Sequence, residues 1–592
     1  MWCLSILLFQ HIDKSQLAKE IWTQYVHAIQ NYDSLKAYRY WVKKDRQNGW
    51  IDLNLGKISD KNDKLRYFNQ HCAYKIKEIK DKGEYIELII TVYEKDTPIA
   101  EERRYMVFEN DSLKLITPLT LFTKDWHTHQ YGNIEFIYEG SDSPALEDVK
   151  RSEKTCKLLE DMFDIHLGKI WFFKVRNANY VAKLTGFPPR GGYAFPDAHV
   201  VVSSNYLPHE IVHVYMHEIN PSVYINPALQ EGVAVAIGGS AFATNECLMS
   251  LAQDLIQTGK GSLTSILYPD SFRIRKDIVE SYMLAGSFCN FLLEKFGAEK
   301  FKELYSYPHN YFADTIEIGL HKIYGKSIKN LEEYWHSWVL AKKLPKLKPG
   351  ISKNSQVDFE MDDPLYDDIG DGDYTYPSSA SYPKGILDLK HFEVSHDDST
   401  VYFKLEFRKL AHPDSEWGFW GTLAMILIDT SYDASWNYKE MYKWILNARI
   451  PDNYEFAIII HGDGASVLDN SMITLGALMY KTESYGKMRV GPHTIGIGVP
   501  IRLIGRPSKN WRYIVAVCAQ EPLPKTFRYN IGGAIHVEVK STGSTCGGAN
   551  NSNAPYIFDL LAPTKEEQIK ILSNYNDEKK VSIPYVKPVS SW

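Results

Sequence analysis

The chain has seven cysteines but no CxxC pair, no apolar run of membrane-spanning length, and no large excess of either charge. Scattered cysteines rule out a zinc ribbon and a disulfide scaffold, which need closely spaced sulfurs. Cys518 and Cys546 could pair in an exported protein; otherwise the cysteines read as buried thiols. A membrane span needs about 20 consecutive apolar residues; the short run at the start, MWCLSILLF, cannot span a bilayer, and no later stretch is long or apolar enough. That run also lacks a basic flank and a small-residue cleavage site, so it reads as the remnant of a signal peptide or as a hydrophobic helix end. A net charge of −6 gives no electrostatic reason to expect nucleic acid. No internal repeat suggests a solenoid.

What is present is long and varied. A chain of 592 residues suggests several domains, each able to bury its own core. Aromatics make up 13 % of it, which suits a carbohydrate or peptide surface and equally an aromatic core. Residues 13–45 read as helix, with Asp13 and Gln16 as a capping box and Leu17, Ile21, Tyr25 and Ile29 at helical spacing. The pattern then becomes strands through YIELIITVYE, RRYMVFEN and LKLITP, with turn signals between them. Helices followed by a curved antiparallel sheet resemble nuclear-transport-factor-like (SnoaL-like) domains, which implies an accessory α+β cone over 1–125.

Residues 133–205 alternate strand and helix, ending in a VVVSS strand expected to form a sheet edge beside the next helix. Residues 209–340 are mostly helical. The chain opens this stretch with PHEIVHVYMHE. His209 and His213 are four apart, so one helix face presents both imidazoles to a single ion. Glu210 is offset by about 100°, which suits a group that contacts water at the metal. His217 lies about 12 Å along the axis from His209, too far to share that ion, and reads as a structural or rim residue. The metzincin pattern is excluded by Met216 and Ile219.

Glu231, in NPALQEGVAVAIGG, is the candidate third ligand. Seventeen residues separate it from His213, enough for a helix, a turn and a return. It would complete a His₂Glu set with one open position. HEIVH, NPALQEGVAVA and YMLAGSFCNFLLEKFG together resemble the gluzincin branch of zinc metallopeptidases, over about residues 130–342. The resemblance implies a zincin-like α+β domain, one zinc at His209, His213 and Glu231, Glu210 as general base, and Tyr282 as a hydrogen-bond donor to the oxyanion. Val235 stands where thermolysin-like enzymes carry an aspartate. GGYAF at 191–195 replaces the aminopeptidase GxMEN segment, which argues against capture of a free N-terminus.

A Lys- and Pro-rich linker is expected at 343–356. Beyond it, short strands between Asp/Gly/Ser turns predict an all-β sandwich over 357–592. Its opening, DDPLYDDIGDGDYTYP, places Asp363, Asp367, Asp368, Asp371 and Asp373 close together, an oxygen-rich set that suits calcium. This opening, the YPKGILDLKHFEVSHDDSTVYFKLEFRKL that follows and a closing IPYV resemble the C-terminal binding-module domain of glucodextranase. That implies attachment to a cell surface or polysaccharide, with Trp417 and Trp420 as sugar platforms or core residues. The whole reads as a multidomain α+β protein: a secreted or surface-associated zinc peptidase acting on peptide or protein, with no transmembrane segment. The rival reading is a noncatalytic surface or glycan-binding protein on a peptidase-like scaffold.

Overall fold

The computed structural model describes residues 13–51, 72–94, 96–140, 142–221, 225–240, 242–268, 272, 278–308, 313–431, 435–520 and 551–586. The N-terminal apolar run and Cys546 lie outside them. The chain is mixed α/β, with several antiparallel sheets and a β-rich C-terminal region. It forms two compact units, Met1–Ser222 and Val223–Trp592, each described by itself.

In the first unit, α1 (Lys14–Gln30) is capped by Asp13, whose carboxylate accepts from the Ser15 and Gln16 amides. The reciprocal half of the expected box is absent, because the Gln16 side chain donates to Glu20 instead. The single helix expected over 13–45 is three. Tyr32 turns left-handed at φ 56°, Asp33 caps α2 (Ser34–Arg39), and the chain then pairs with a strand through Val42 N–H to Leu115 O before α3 (Lys43–Asn48). Four antiparallel strands follow in order: β1 (Cys72–Asp81), β2 (Ile86–Glu94), β3 (Thr97–Glu109) and β4 (Ser112–Ile116). Bulges at Ile76/Glu78 and Val92/Tyr93 bend this sheet, and α1 packs Trp22, Tyr25 and Ile29 into the core on one face.

A second sheet has five strands: β5 (His127–Tyr131), β6 (Ile134–Tyr138), β7 (Ile170–Lys174), β8 (Gly192–Phe195) and β9 (Val200–Ser203). The spatial order is β5-β6-β7-β9-β8, with β6, β7 and β9 parallel and both outer strands antiparallel. The VVVSS strand is therefore interior and GYAF is the edge. The hairpin through Pro196–Ala198 folds β8 back over the side of β9 that sequence order alone leaves open. The helix α4 (His209–Ile219) follows β9, with Ile211, Val212, Tyr215 and Met216 buried.

The second unit begins with helices: α5 (Pro227–Gly238), α6 (Asn245–Gln257), α7 (Ile278–Phe296), α8 (Ala298–Tyr305), α9 (Ala313–Tyr324) and α10 (Ile328–Leu340). Two antiparallel sheets then enclose one hydrophobic core. The first runs β10 (Lys348–Pro349), β11 (Gln356–Asp362), β12 (Leu389–His396), β13 (Thr400–Phe407) and later β17 (Thr494–Pro500), in order β10-β17-β13-β12-β11. The second joins β14 (Thr422–Asp429), β15 (Phe456–His461), β16 (Gly464–Asp469), a strand at Thr474–Leu478, β18 (Arg512–Ala519) and β19 (Asp559–Leu560).

The residues expected as a linker are packed. Leu347 is fully buried in the sandwich core, Lys348 and Pro349 pair with β17, and Lys346 engages the buried Asp254 of α6. Tyr485 also donates to Asp254, at 3.1 Å, so the helices and sheets of this unit are joined by charge as well as by packing.

Candidate functional site

In the first unit, His209 and His213 lie on one face of α4 with ring centroids 4.9 Å apart. Both are half-buried, as is Glu210. Glu210 lies against the edge strand: a Cβ built on Gly192 would come within 2.8 Å of its Oε1 and 2.9 Å of its Cγ. Glycine at that position is what lets the carboxylate lie along β8. The next residue, Tyr193, feels Glu210 as well. Burial pushes its phenol up first, Arg190 opposes this, and Glu210 adds to it. Gly192 and Tyr193 are site residues that reading the sequence missed; the signal was the GGYAF stretch, whose pairing decides its position. His217 bonds Asp197 at 3.2 Å on the turn between β8 and β9, in keeping with the structural role expected for it.

In the second unit, Glu231 lies in the second turn of α5, whose N-cap, Asn226, accepts from Ala228 N–H and donates to Leu267 O at 2.7 Å. The small residues beside it do what their size predicts. A Cβ on Gly232 would meet Cys289 Sγ at 2.6 Å and Ala285 O at 2.7 Å, and one on Gly286 would meet Val235 at 2.3 Å. Helices α5 and α7 therefore pack nearly in contact, and they run antiparallel, since Gly232 meets Cys289 while Val235 meets Gly286. Tyr305 is buried nearby, its phenol pushed up chiefly by burial and then by the charge of Glu231.

Tyr282 is half-buried on α7, its ring 5.7 Å from that of Phe272. Val235 lies level with Gly286, four residues past Tyr282, and Glu231 lies four residues before Val235. On two antiparallel helices these contacts, with Cys289 Sγ also reaching Ala228 O and Leu229 O, set Tyr282 and Glu231 roughly 7–12 Å apart along the axis. The α7 and α5 sequences do not reveal this offset, because only the helix pairing sets their relative level.

The acidic opening of the sandwich divides in two. Asp363, Asp367 and Asp368 are buried, whereas Asp371 is half-buried and Asp373 exposed. Asp371 accepts from Tyr575 OH at 2.5 Å and from the Asp373 amide at 3.1 Å. It and Asp373 stand outside the one close group of acidic side chains here, which is Asp363, Asp367 and Asp559. Gly370, at φ 60°, faces the Tyr374 ring so closely that a Cβ would lie 2.6 Å from it, so the turn after Asp367 needs glycine. Asp559 and Asp388 join the buried carboxylates from elsewhere in the chain, and reading the sequence missed both. Burial, and then the charges of the neighbouring carboxylates, push Asp363, Asp367, Asp388 and Asp559 up from the ordinary range.

The two ends of this region share one core. Tyr374 and Tyr376 of the opening pack on Phe558, and the closing IPYV segment buries Ile583 and pairs Val586 with Tyr513. Residues 359–586 match the family model of the C-terminal binding-module, SLH-like, of glucodextranase. The match lies inside the predicted sandwich and bears out the resemblance for that domain. Among curated proteins, none matches the chain. Within the module Trp417 is core, fully buried, while Trp420 is partly buried against Tyr382 and His412. Cys518 is a buried thiol directed at Ile445 O, 3.6 Å away, and the other described cysteines are likewise buried and unbridged. Among the described residues no helix is long and apolar enough to cross a membrane.

Proposed function

We propose that the chain is a zinc-dependent peptidase whose metal is held by His209, His213 and Glu231, carried by a module that attaches it to a cell-surface or polysaccharide ligand. The observation that carries this reading is the α4 face, where two imidazoles lie side by side and Glu210 is laid along an edge strand that has room for it. Two imidazoles and a carboxylate are a donor set that suits zinc. An outermost strand such as β8 can take an extended peptide by adding a strand, which favours a peptide substrate. The finer fold readings, a nuclear-transport-factor-like cone and a zincin-like domain, belong to this proposal, as does a secreted or surface location.

Zinc, when bound, would supply Lewis acidity toward an amide carbonyl and a more acidic water. Glu210 takes the proton from the water that attacks the amide carbon and passes it to the departing nitrogen. Tyr282 is the donor to the oxyanion that the resemblance implies. Tyr282→Phe should lower kcat by about 10²-fold with KM little changed, as loss of an oxyanion donor does. An unchanged kcat removes Tyr282 from the mechanism.

A second reading, a noncatalytic surface-binding protein, is favoured by the extent of the family match, which covers the binding module and not residues 130–342. Zinc content per chain separates the two. The peptidase reading expects one zinc in the wild type and a clear loss in Glu231→Ala. No zinc in either protein, after metal has been offered, moves the assignment to the binding scaffold.

A further inference from the structure

We propose that Asp363, Asp367 and Asp559 hold a calcium ion inside the C-terminal module, with Asp368 and Asp388 lining the same chamber. One oxygen from each of the three comes within 4.8 Å of the others. All three are interior: Asp363 is 5 % exposed, and Asp367 and Asp559 are 0 %.

The chain positions them with care. Asp363 follows β11 and spends Oδ1 on the Ala562 amide, at 2.8 Å. Asp559, in β19, spends Oδ2 on the Leu389 amide at 2.6 Å, and Asp388 spends Oδ2 on Tyr366 N–H at 3.0 Å. Among the described residues no other group donates to Asp363 Oδ2, either oxygen of Asp367, Asp368 Oδ2, Asp388 Oδ1 or Asp559 Oδ1, and the Asp363 and Asp559 carboxyls lie within hydrogen-bonding reach of each other. Backbone amides thus fix three carboxylates by one oxygen each and leave the other turned inward. Gln568 fixes the fourth segment, donating to Asp367 O and accepting from Leu560 N–H at 2.7 Å.

Buried carboxylates without compensation are costly, and proteins pair them or give them to a metal. Arg408 serves the outer two, 2.9 Å from Asp388 and 3.6 Å from Asp368. Among the described residues no Lys, Arg or His comes within ion-pair distance of Asp363, Asp367 or Asp559, and the charges of Lys565 and Arg408 act on Asp367 only from farther away.

An all-oxygen chamber selects a hard cation over zinc, which favours nitrogen and sulfur. Calcium takes 6–8 oxygens at 2.3–2.6 Å, so three carboxylate oxygens that all lie within 4.8 Å of one another are close enough to share one ion. Magnesium needs a tighter octahedron near 2.0–2.1 Å and keeps several waters, which a buried chamber lined by carboxylates favours less than direct carboxylate ligation of calcium. Asp363 extends from one sheet and Asp559 belongs to the other, so the ion would fasten the two sheets and the DDPLYDDIGDGDYTYP turn together.

The test uses full-length protein stripped with EGTA, resupplied with zinc and then titrated with calcium chloride. Expected are one calcium per chain by elemental analysis after gel filtration and a Tm raised by about 5 °C or more. Asp367→Asn and Asp559→Asn should each weaken calcium binding at least about tenfold, a loss of one charged ligand. Asp371→Asn, outside the group, should bind as the wild type does. Wild type with no bound calcium and no shift overturns the proposal, as does wild-type affinity in both Asp367→Asn and Asp559→Asn. If those variants fail to fold, calcium per wild-type chain still decides. Glu231→Ala should keep its calcium, which separates this site from the zinc reading.

Discussion

Glu210→Gln should retain zinc and lose turnover by about 10³-fold or more on whichever of casein or short peptides the wild type cleaves. The substitution suits the question because the site is so closely fitted. The side chain lies over Gly192 with no space for a methyl group, and glutamine keeps its shape and volume. What it removes is the capacity to accept a proton from the attacking water. His209 and His213 keep their places on α4, so metal content should be unchanged. A variant that holds zinc and turns over at the wild-type rate would sink Glu210 as the base. A variant that loses zinc would instead mean that Glu210 supports the metal, directly or through packing.

The largest stability effect should come from Arg512→Ala, deep in the binding module. Arg512 and Asp429 face one another across the β14–β18 pair, with side chains 2 % and 0 % exposed. Arg512 Nε donates to Asp429 Oδ2 at 2.7 Å. Its guanidinium also lies between the rings of Trp436 and Tyr585, at 4.5 and 4.7 Å. Removing Arg512 leaves the buried Asp429 carboxylate with the neutral donors of Ser431 and Asn453 in place of an opposite charge, at a cost of about 3–5 kcal/mol. The denaturant midpoint of the module's transition should fall accordingly, followed by tryptophan fluorescence. The double variant Arg512→Met, Asp429→Leu should recover much of the loss, because an apolar pair of similar volume has no charge to strand. A loss under about 1 kcal/mol in the single variant would mean that water reaches Asp429.

The parts of this protein legible in the sequence are those set by short-range periodicity. Four-residue spacing put His209 and His213 on one helix face, and small residues around Glu231 announced close helix packing. The turn-bounded strands of 357–592 and the acidic opening identified a β module that the family match bears out for residues 359–586. Tertiary structure decided the rest, because pairing over long separations leaves no local trace. It placed GYAF rather than VVVSS at the sheet edge, beside Glu210. It set the level of Tyr282 against Glu231 through the contacts of Gly232 and Gly286. It drew Leu347 and Lys346 of the expected linker into packing and charge contacts. It also sorted the acidic run, turning Asp371 and Asp373 outward and bringing Asp559 and Asp388 in from distant strands and turns. A run of aspartates specifies negative charge, but only the meeting of two sheets specifies which of those charges have no water left to solvate them.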